Sequence, residues 1–315
     1  MVDPASDAAP DLVRETEVAI PARDGFPLAA SVFRRGAAGP EAPGEVDVLV
    51  LPAMAVPQRF YRRFAAWLGG IAGVRAVTFD LRGMGRSRRE KPLRSFADVT
   101  VRTWAEQDAP AVFDWVARGT AKGGFRVVGH SLGGQLLGIA PGAAERVERA
   151  VTVAAGSGYY GHHPGPRWPR RVLFHHGMPT LARLFGYYPG ARLGIVGDLP
   201  KGVAVQWARW CATPHYLIDA DGRPYRSGFR RFAAPILALS MRDDALISKA
   251  AVDDLHGWFQ KAPVSRRHLD AAAFGLDRIG HFGFFREPAL WPLARSGLAL
   301  EEDRAAPSAP AAADS

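Results

Sequence analysis

The residues Gly129-His130-Ser131-Leu132-Gly133 place a serine between two glycines, and a serine in that setting can become a nucleophile. Glycines are abundant in the chain, 34 in all, and a G-x-S-x-G match arises by chance at roughly 0.15 per chain of this make-up. Its neighbours raise its meaning. The motif follows the short apolar run Phe125-Arg126-Val127-Val128 and precedes the helix-like stretch 132–139. A serine on such a strand-to-helix turn has a strained backbone and an exposed hydroxyl, and the flanking glycines let strand and helix approach closely. The first amides of the helix then point at any oxyanion that develops.

A serine hydroxyl is a weak nucleophile at neutral pH and needs a base, which in turn needs an orienting acid. On this kind of turn the order along the chain is Ser, acid, His, each partner lying just past a later strand. Asp243-Asp244 follows the apolar run 236–240, and His281 lies on a loop beyond the run 265–269, so order and placement are both met. His130 adjoins the nucleophile and would point away from it. His256 falls mid-helix and His268 inside a strand, so these three histidines read as structural.

The elements that must hold these residues alternate between short apolar runs and longer amphipathic stretches, which predicts an α/β sheet protein. Strands are expected at 15–20, 28–33, 46–51, 76–79, 125–128, 150–154, 236–240 and 265–269, and helices at 59–68, 103–117, 132–139, 249–260 and 288–293. Uninterrupted Val/Leu/Ile runs suit parallel strands buried on both faces. The rhythm breaks over 156–232, which is expected to be a lid inserted into a core made of 1–155 and 233–300. The tail 301–315, like the first eleven residues, has little to bury.

Forty Lys+Arg against 31 Asp+Glu leave a net charge of +9. From Ser157 to Phe232 there are eleven basic residues against Asp198, Asp219 and Asp221, so +8 of that excess sits in the insertion, with 13 of the 32 aromatic residues. Trp207, Arg209 and Trp210 are the substrate-binding candidates there, the tryptophans as rigid apolar walls and Arg209 for a negative group on an acyl substrate, because guanidinium binds carboxylate or phosphate through paired hydrogen bonds.

Several function classes drop out. There is no Walker loop, and Gly83-Met84-Gly85-Arg86-Ser87-Arg88 lacks the third glycine of a dinucleotide fingerprint. His162-His163 and His175-His176 are adjacent pairs whose side chains diverge, without Cys or acidic partners, so no metal and no cofactor is expected. Arg82, Arg86, Arg88 and Arg89 read as a solvated arginine-rich turn rather than a nucleic-acid site. Nothing approaches the length of a membrane span. One cysteine cannot form an internal disulfide, and the acidic first twenty residues do not resemble a secretory leader, so a cytoplasmic location is expected.

Beyond these local readings, the chain resembles the α/β-hydrolase superfamily over nearly all of its length outside the tails. Asp80-Leu81-Arg82-Gly83-Met84-Gly85-Arg86-Ser87 is similar to the D-x-R-G-x-G-x-S turn of that fold, and 235–247 to its acid-bearing strand and turn. More narrowly, segments such as Val56-Pro57-Gln58-Arg59-Phe60-Tyr61 and Gly280-His281-Phe282-Gly283-Phe284-Phe285 resemble a bacterial subgroup of largely uncharacterised α/β-hydrolases. The resemblance implies a mostly parallel sheet of about eight strands with flanking helices. It also implies Asp244 as the triad acid with Asp243 as fallback, and an oxyanion hole from the N–H groups of Leu132 and Met54. One departure is visible: Leu51-Pro52-Ala53-Met54 stands where the family often has His-Gly. The activity implied is a serine hydrolase, an esterase or thioesterase, with an acyltransferase or a non-catalytic binding protein as alternatives.

Overall fold

The computed structural model describes residues 12–118, 123–194 and 197–300, so both terminal stretches read as frayed lie outside the described residues. Eight strands form one sheet: β1 (Val13–Pro21), β2 (Pro27–Arg35), β3 (Val46–Leu51), β4 (Val74–Phe79), β5 (Phe125–His130), β6 (Val147–Val153), β7 (Ile236–Met241) and β8 (Val264–Leu269). Their spatial order is β1-β2-β4-β3-β5-β6-β7-β8. β1 pairs antiparallel with β2 and β2 antiparallel with β4, while every later pairing is parallel. Each of the eight expected strands is present, with 46–51 unchanged and the other ends shifted by at most three residues.

Apolar runs such as 48–51, expected to be parallel and buried on both faces, are so. Along β3, Val48 and Val50 pack on one face with Phe64, Leu68 and Trp291, while Leu49 and Leu51 pack on the other with Trp104, Phe113 and Leu136. Alternation on a strand sends neighbours to opposite faces, so a continuous apolar run fills both cores. Phe64 is fully buried, and its truncation to Ala would cost about 3–5 kcal/mol. β8 closes the sheet and carries exposed Arg266 and Arg267, charges that discourage further strand addition at an edge.

The chain lays β4 on one side of β3 and then β5 on the other. The loops leaving β3 and β5 therefore diverge at the carboxyl ends of the strands, the place where open α/β sheets hold their ligands. Ser131 and Met54 are on those two loops. The segment 156–232 lies between β6 and β7 and is mainly helical, with a two-residue ribbon pairing Tyr187-Tyr188 with Leu199-Pro200.

The helix expected at 103–117 contains a π turn at Trp104–Asp108, two residues before Pro110. Proline has no N–H to give and crowds the carbonyl four residues back, and the wider turn relieves both. The same pairing recurs at Leu173–Gly177 and Pro179.

His256 is structural, as expected, and fully enclosed: its Nδ1–H donates to the Val252 carbonyl at 2.7 Å and its Nε2 accepts from Thr152 Oγ1 at 2.7 Å. Burial lowers its pKa from 6.5 to about 4. The unfolded chain then binds the extra proton between these values, so stability is complete above pH 6.5 and falls as pH drops toward 4. Urea titrations are expected to show a loss of about 3 kcal/mol across that window from this residue, and a flatter profile in His256→Gln.

Within the arginine turn, Arg86, Arg88 and Arg89 are exposed as expected, and Arg82 departs from that reading. Arg82 is buried between Asp108 (Nε to Oδ1, 2.7 Å) and Asp24 (Nη2 to Oδ1, 2.8 Å). Arg86 pairs with Glu17, and its N–H donates to Asp80 Oδ2 at 2.8 Å. Asp80 also accepts from the Gln58 N–H at 2.7 Å, tying this turn to the loop after β3. A Cβ on Gly85 would collide with the Asp80 carboxylate. Arg82 is internal scaffolding, and its two carboxylate partners, 26 and 58 residues away, lie too far along the chain to be seen locally.

Candidate active site

Ser131 sits at the end of β5 with φ 51° and ψ −112°, and the helix Leu132–Ile139 begins at the next residue. A non-glycine residue in that region costs about 1–3 kcal/mol and persists only where its surroundings hold it. Here the Ser131 N–H donates to the Val153 carbonyl at 2.9 Å, and the Ser131 carbonyl accepts from Gly134 N–H at 3.0 Å. The hydroxyl-bearing residue remains half-buried while its neighbours are buried.

The flanking glycines are needed for close approach. A Cβ on Gly129 would lie 2.8 Å from the Gly134 nitrogen, and one on Gly133 would overlap the Leu51 carbonyl of β3. Since the obstructing atoms are backbone, they cannot swing aside. Gly133→Ala is expected to cost about 3 kcal/mol or more, read as a lowered urea midpoint; an unchanged midpoint would mean that helix and β3 can separate freely.

Asp244 and His281 meet. His281 Nδ1–H donates to Asp244 Oδ2 at 2.8 Å, with the two side chains 7% and 1% exposed. The other carboxylate oxygen accepts from the N–H groups of Leu246 (2.8 Å) and Ile247 (3.0 Å). These bonds fix the carboxylate, and the carboxylate fixes the tautomer, leaving Nε2 of His281 as the proton acceptor.

Asp243, the fallback acid, makes other bonds. Its carboxylate accepts from the N–H groups of Ile279 (2.8 Å) and Gly280 (2.9 Å). It therefore holds the loop that presents His281, while Ser248 caps the helix Lys249–Gly257 itself by accepting from Ala251 N–H. Adjacent aspartates divide the work: one grips the imidazole, the other the backbone of the two residues before His281.

His130 is fully buried and does not face solvent. Its Nε2–H donates to the His281 carbonyl at 3.0 Å, because a carbonyl can only accept. Its Nδ1 then accepts from Tyr61 Oη–H at 2.9 Å, and Tyr61 Oη accepts from Ala53 N–H at 2.8 Å. Burial, with His281 nearby, lowers the His130 pKa well below the ordinary histidine value, which keeps this ring neutral. One hydrogen-bonded chain thus connects the loop after β3, the elbow strand and the His281 loop. Tyr61 closes the segment 56–61 that carries the family resemblance, but the sequence assigns it no role, because its partner His130 lies 69 residues away.

β3 and β5 are paired at Leu51 and Gly129, and Met54 and Leu132 each lie three residues beyond. The Met54 N–H has no hydrogen-bond partner among the described residues, and Leu132 opens a helix, where first-turn amides lack an intrahelical acceptor. Two unengaged donors at one end of paired strands suit a developing negative charge.

The three aromatic and basic candidates in 156–232 part company. Trp207 Nε1–H donates to Tyr216 Oη at 3.1 Å, and Tyr216 Oη–H donates to Gln135 Oε1 at 3.2 Å, on the helix that Ser131 begins. Trp210 is buried, with Nε1–H on the Ile218 carbonyl at 2.7 Å. Arg209 Nη2 donates to the Ala220 carbonyl at 2.8 Å. Arg209 and Trp210 line a groove of about 560 Å³ with Arg102, Arg183 and Lys201, and a larger cleft of about 830 Å³ lies against Gln58, Asp80 and Arg86. Neither is lined by Ser131, Asp244 or His281.

No curated protein sequence matches the chain. Among solved structures, it is similar to an N-acyl homoserine lactone degrading enzyme (17% identity, TM-score 0.57, covering 89% of this chain and 99% of the other). It is also similar to an esterase from Exiguobacterium antarcticum (16%, TM-score 0.55, 89% and 99%) and to the thioesterase domain of the curacin biosynthetic pathway (15%, TM-score 0.52, 90% and 99%). At these identities the likeness concerns the fold. The sequence profile of the alpha/beta hydrolase family matches residues 48–291, from β3 to the first residue of the helix Trp291–Gly297. That span is most of the 315 residues, and the chain belongs to the alpha/beta hydrolase family.

Proposed function

We propose that this protein is a serine hydrolase that cleaves an ester or thioester through an acyl-enzyme. The observation that carries the reading is the 2.8 Å bond from His281 to a buried, doubly anchored Asp244, in a chain whose elbow residue is a strained serine. Ser131 attacks the acyl carbonyl while His281 Nε2 takes its proton. The N–H groups of Leu132 and Met54 receive the oxyanion, and Asp244 stabilises the imidazolium. The proton passes from His281 to the leaving group, and water then repeats the sequence to release the acid. The lactone, ester and thioester substrates named for proteins of similar fold are all acyl compounds, which supports that substrate class.

The segment 156–232 is, in this reading, the lid over the carboxyl ends of the strands, and Trp207 supplies part of its apolar wall, since its hydrogen-bonded path ends on the helix of Ser131. The test is a rapid-mixing experiment with p-nitrophenyl esters and acyl thioesters of graded chain length. A burst of leaving group equal to the enzyme concentration, with the acyl mass on the Ser131 peptide, is the expected result. Absence of turnover across the whole series would favour a protein that binds acyl ligands without processing them.

A further inference from the structure

Seven large apolar side chains are exposed among the described residues, and five of them fall within 26 residues of the insertion: Trp168, Val172, Leu184, Phe185 and Leu193. Trp168 is 70% and Leu184 73% exposed. Burial elsewhere in this protein is efficient, so such a concentration marks a surface made for contact.

The stretch 167–185 is helical throughout, with the π turn Leu173–Gly177 in its middle. Trp168 and Val172 are four apart and share a face. Leu184 is twelve past Val172, which in an uninterrupted α-helix would set it about 120° around the axis. The extra residue absorbed by the π turn makes the spacing equivalent to eleven, close to three full turns, and returns Leu184 to the same stripe. The opposite side is committed: Met178 and Ala182 are fully buried, and Phe174 packs edge-on against Trp207.

Basic side chains dominate this surface, with Asp198, whose carboxylate accepts from the Ala191 N–H at 3.1 Å, an acid at its edge. No Asp or Glu occurs between Glu148 and Asp198. Arg167, Arg170, Arg171, Arg183 and Arg192 flank the exposed apolar residues, and none forms an ion pair among the described residues. Arg170 Nη1 donates only to backbone carbonyls, Pro164 at 3.0 Å and Pro166 at 3.4 Å. A polyanionic nucleic acid would explain the arginines but gives no reason for exposed leucine and tryptophan. An apolar protein partner would explain the leucines and not the unpaired arginines.

We propose that the 167–193 surface docks peripherally onto an anionic lipid bilayer, with Trp168, Val172 and Leu184 entering the interface and the arginines meeting lipid phosphates. An amphipathic helix with arginine beside its apolar stripe has the composition of an interfacial anchor, and tryptophan favours the headgroup level. No helix among the described residues is long and apolar enough to cross a membrane, so the contact is one-sided. The inference stands whether or not Ser131 is a nucleophile.

The test is flotation of the full chain with vesicles of phosphatidylcholine alone and with added phosphatidylglycerol, at low and high salt. Binding is expected only to the anionic vesicles and is expected to weaken with salt. Each arginine removed in the series Arg170→Gln, Arg171→Gln, Arg183→Gln should weaken partition about fivefold, and Trp168→Ser with Leu184→Ser should abolish it. All these positions are surface residues, and an unchanged melting temperature verifies that the variants fold. No flotation with anionic vesicles, or variants that float like the parent, would overturn the proposal. So would a concentration-dependent dimer that Trp168→Ser with Leu184→Ser dissociates, or tight DNA binding indifferent to that pair.

Discussion

Ser131→Ala and His281→Ala are each expected to lower kcat by on the order of 10⁵–10⁶-fold, and the double variant to lose little more than either single. In the proposed mechanism nucleophile and base act in one proton transfer, so removing either removes the step, and a second removal has nothing left to take. Folding should be nearly unaffected. Ser131 is held through backbone bonds to Val153 and Gly134, which alanine retains. The His281 loop is held by the Asp243 carboxylate on Ile279 and Gly280 and by His130 on the His281 carbonyl, none of which needs the imidazole. Losses that add on a logarithmic scale in the double variant would show that the two side chains serve different steps.

The second large effect separates the neighbouring aspartates. Asp244→Asn is expected to lower kcat about 10⁴-fold, since an amide in that place donates as readily as it accepts and favours the wrong imidazole tautomer. Asp243→Asn removes a charge from a carboxylate that accepts two backbone N–H groups. Its amide oxygen can keep one of those bonds, so the loss is expected to be about 1–2 kcal/mol of stability with a kcat reduced by far less than for Asp244→Asn. Kinetics on both variants with one ester, beside their urea midpoints, make the comparison. The reverse ranking would assign the orienting role to Asp243 and contradict the 2.8 Å contact from His281 to Asp244.

Much of this arrangement is legible before any coordinates. The sheet is carried by runs such as Val46–Leu51 and Val74–Phe79, in which local propensity and two-sided burial agree. The elbow is legible because its requirements are local: glycines where a Cβ would strike backbone, and a serine at the start of a helix. What escapes the sequence is set by partners far along the chain. Asp243 finds its amides 36 and 37 residues away, His130 its tyrosine 69 residues away, and Arg82 its aspartates 26 and 58 residues away. Charge and residue type alone make Arg82 look solvated and His130 look idle, and only the sheet order brings their partners within reach. Arg209 illustrates the same limit within one short helix, where Trp207 turns toward the helix of Ser131 and Arg209 toward the Ala220 carbonyl.

The central claim is that Ser131 is an activated nucleophile, and a fluorophosphonate probe reads this directly, with no knowledge of the natural substrate. Covalent labelling at one equivalent per chain is expected, with the added mass on the peptide containing Ser131. It should vanish in Ser131→Ala and slow by orders of magnitude in His281→Ala, while Asp243→Asn should still label. A folded protein that takes up no label, or one whose labelling survives Ser131→Ala, would contradict the account.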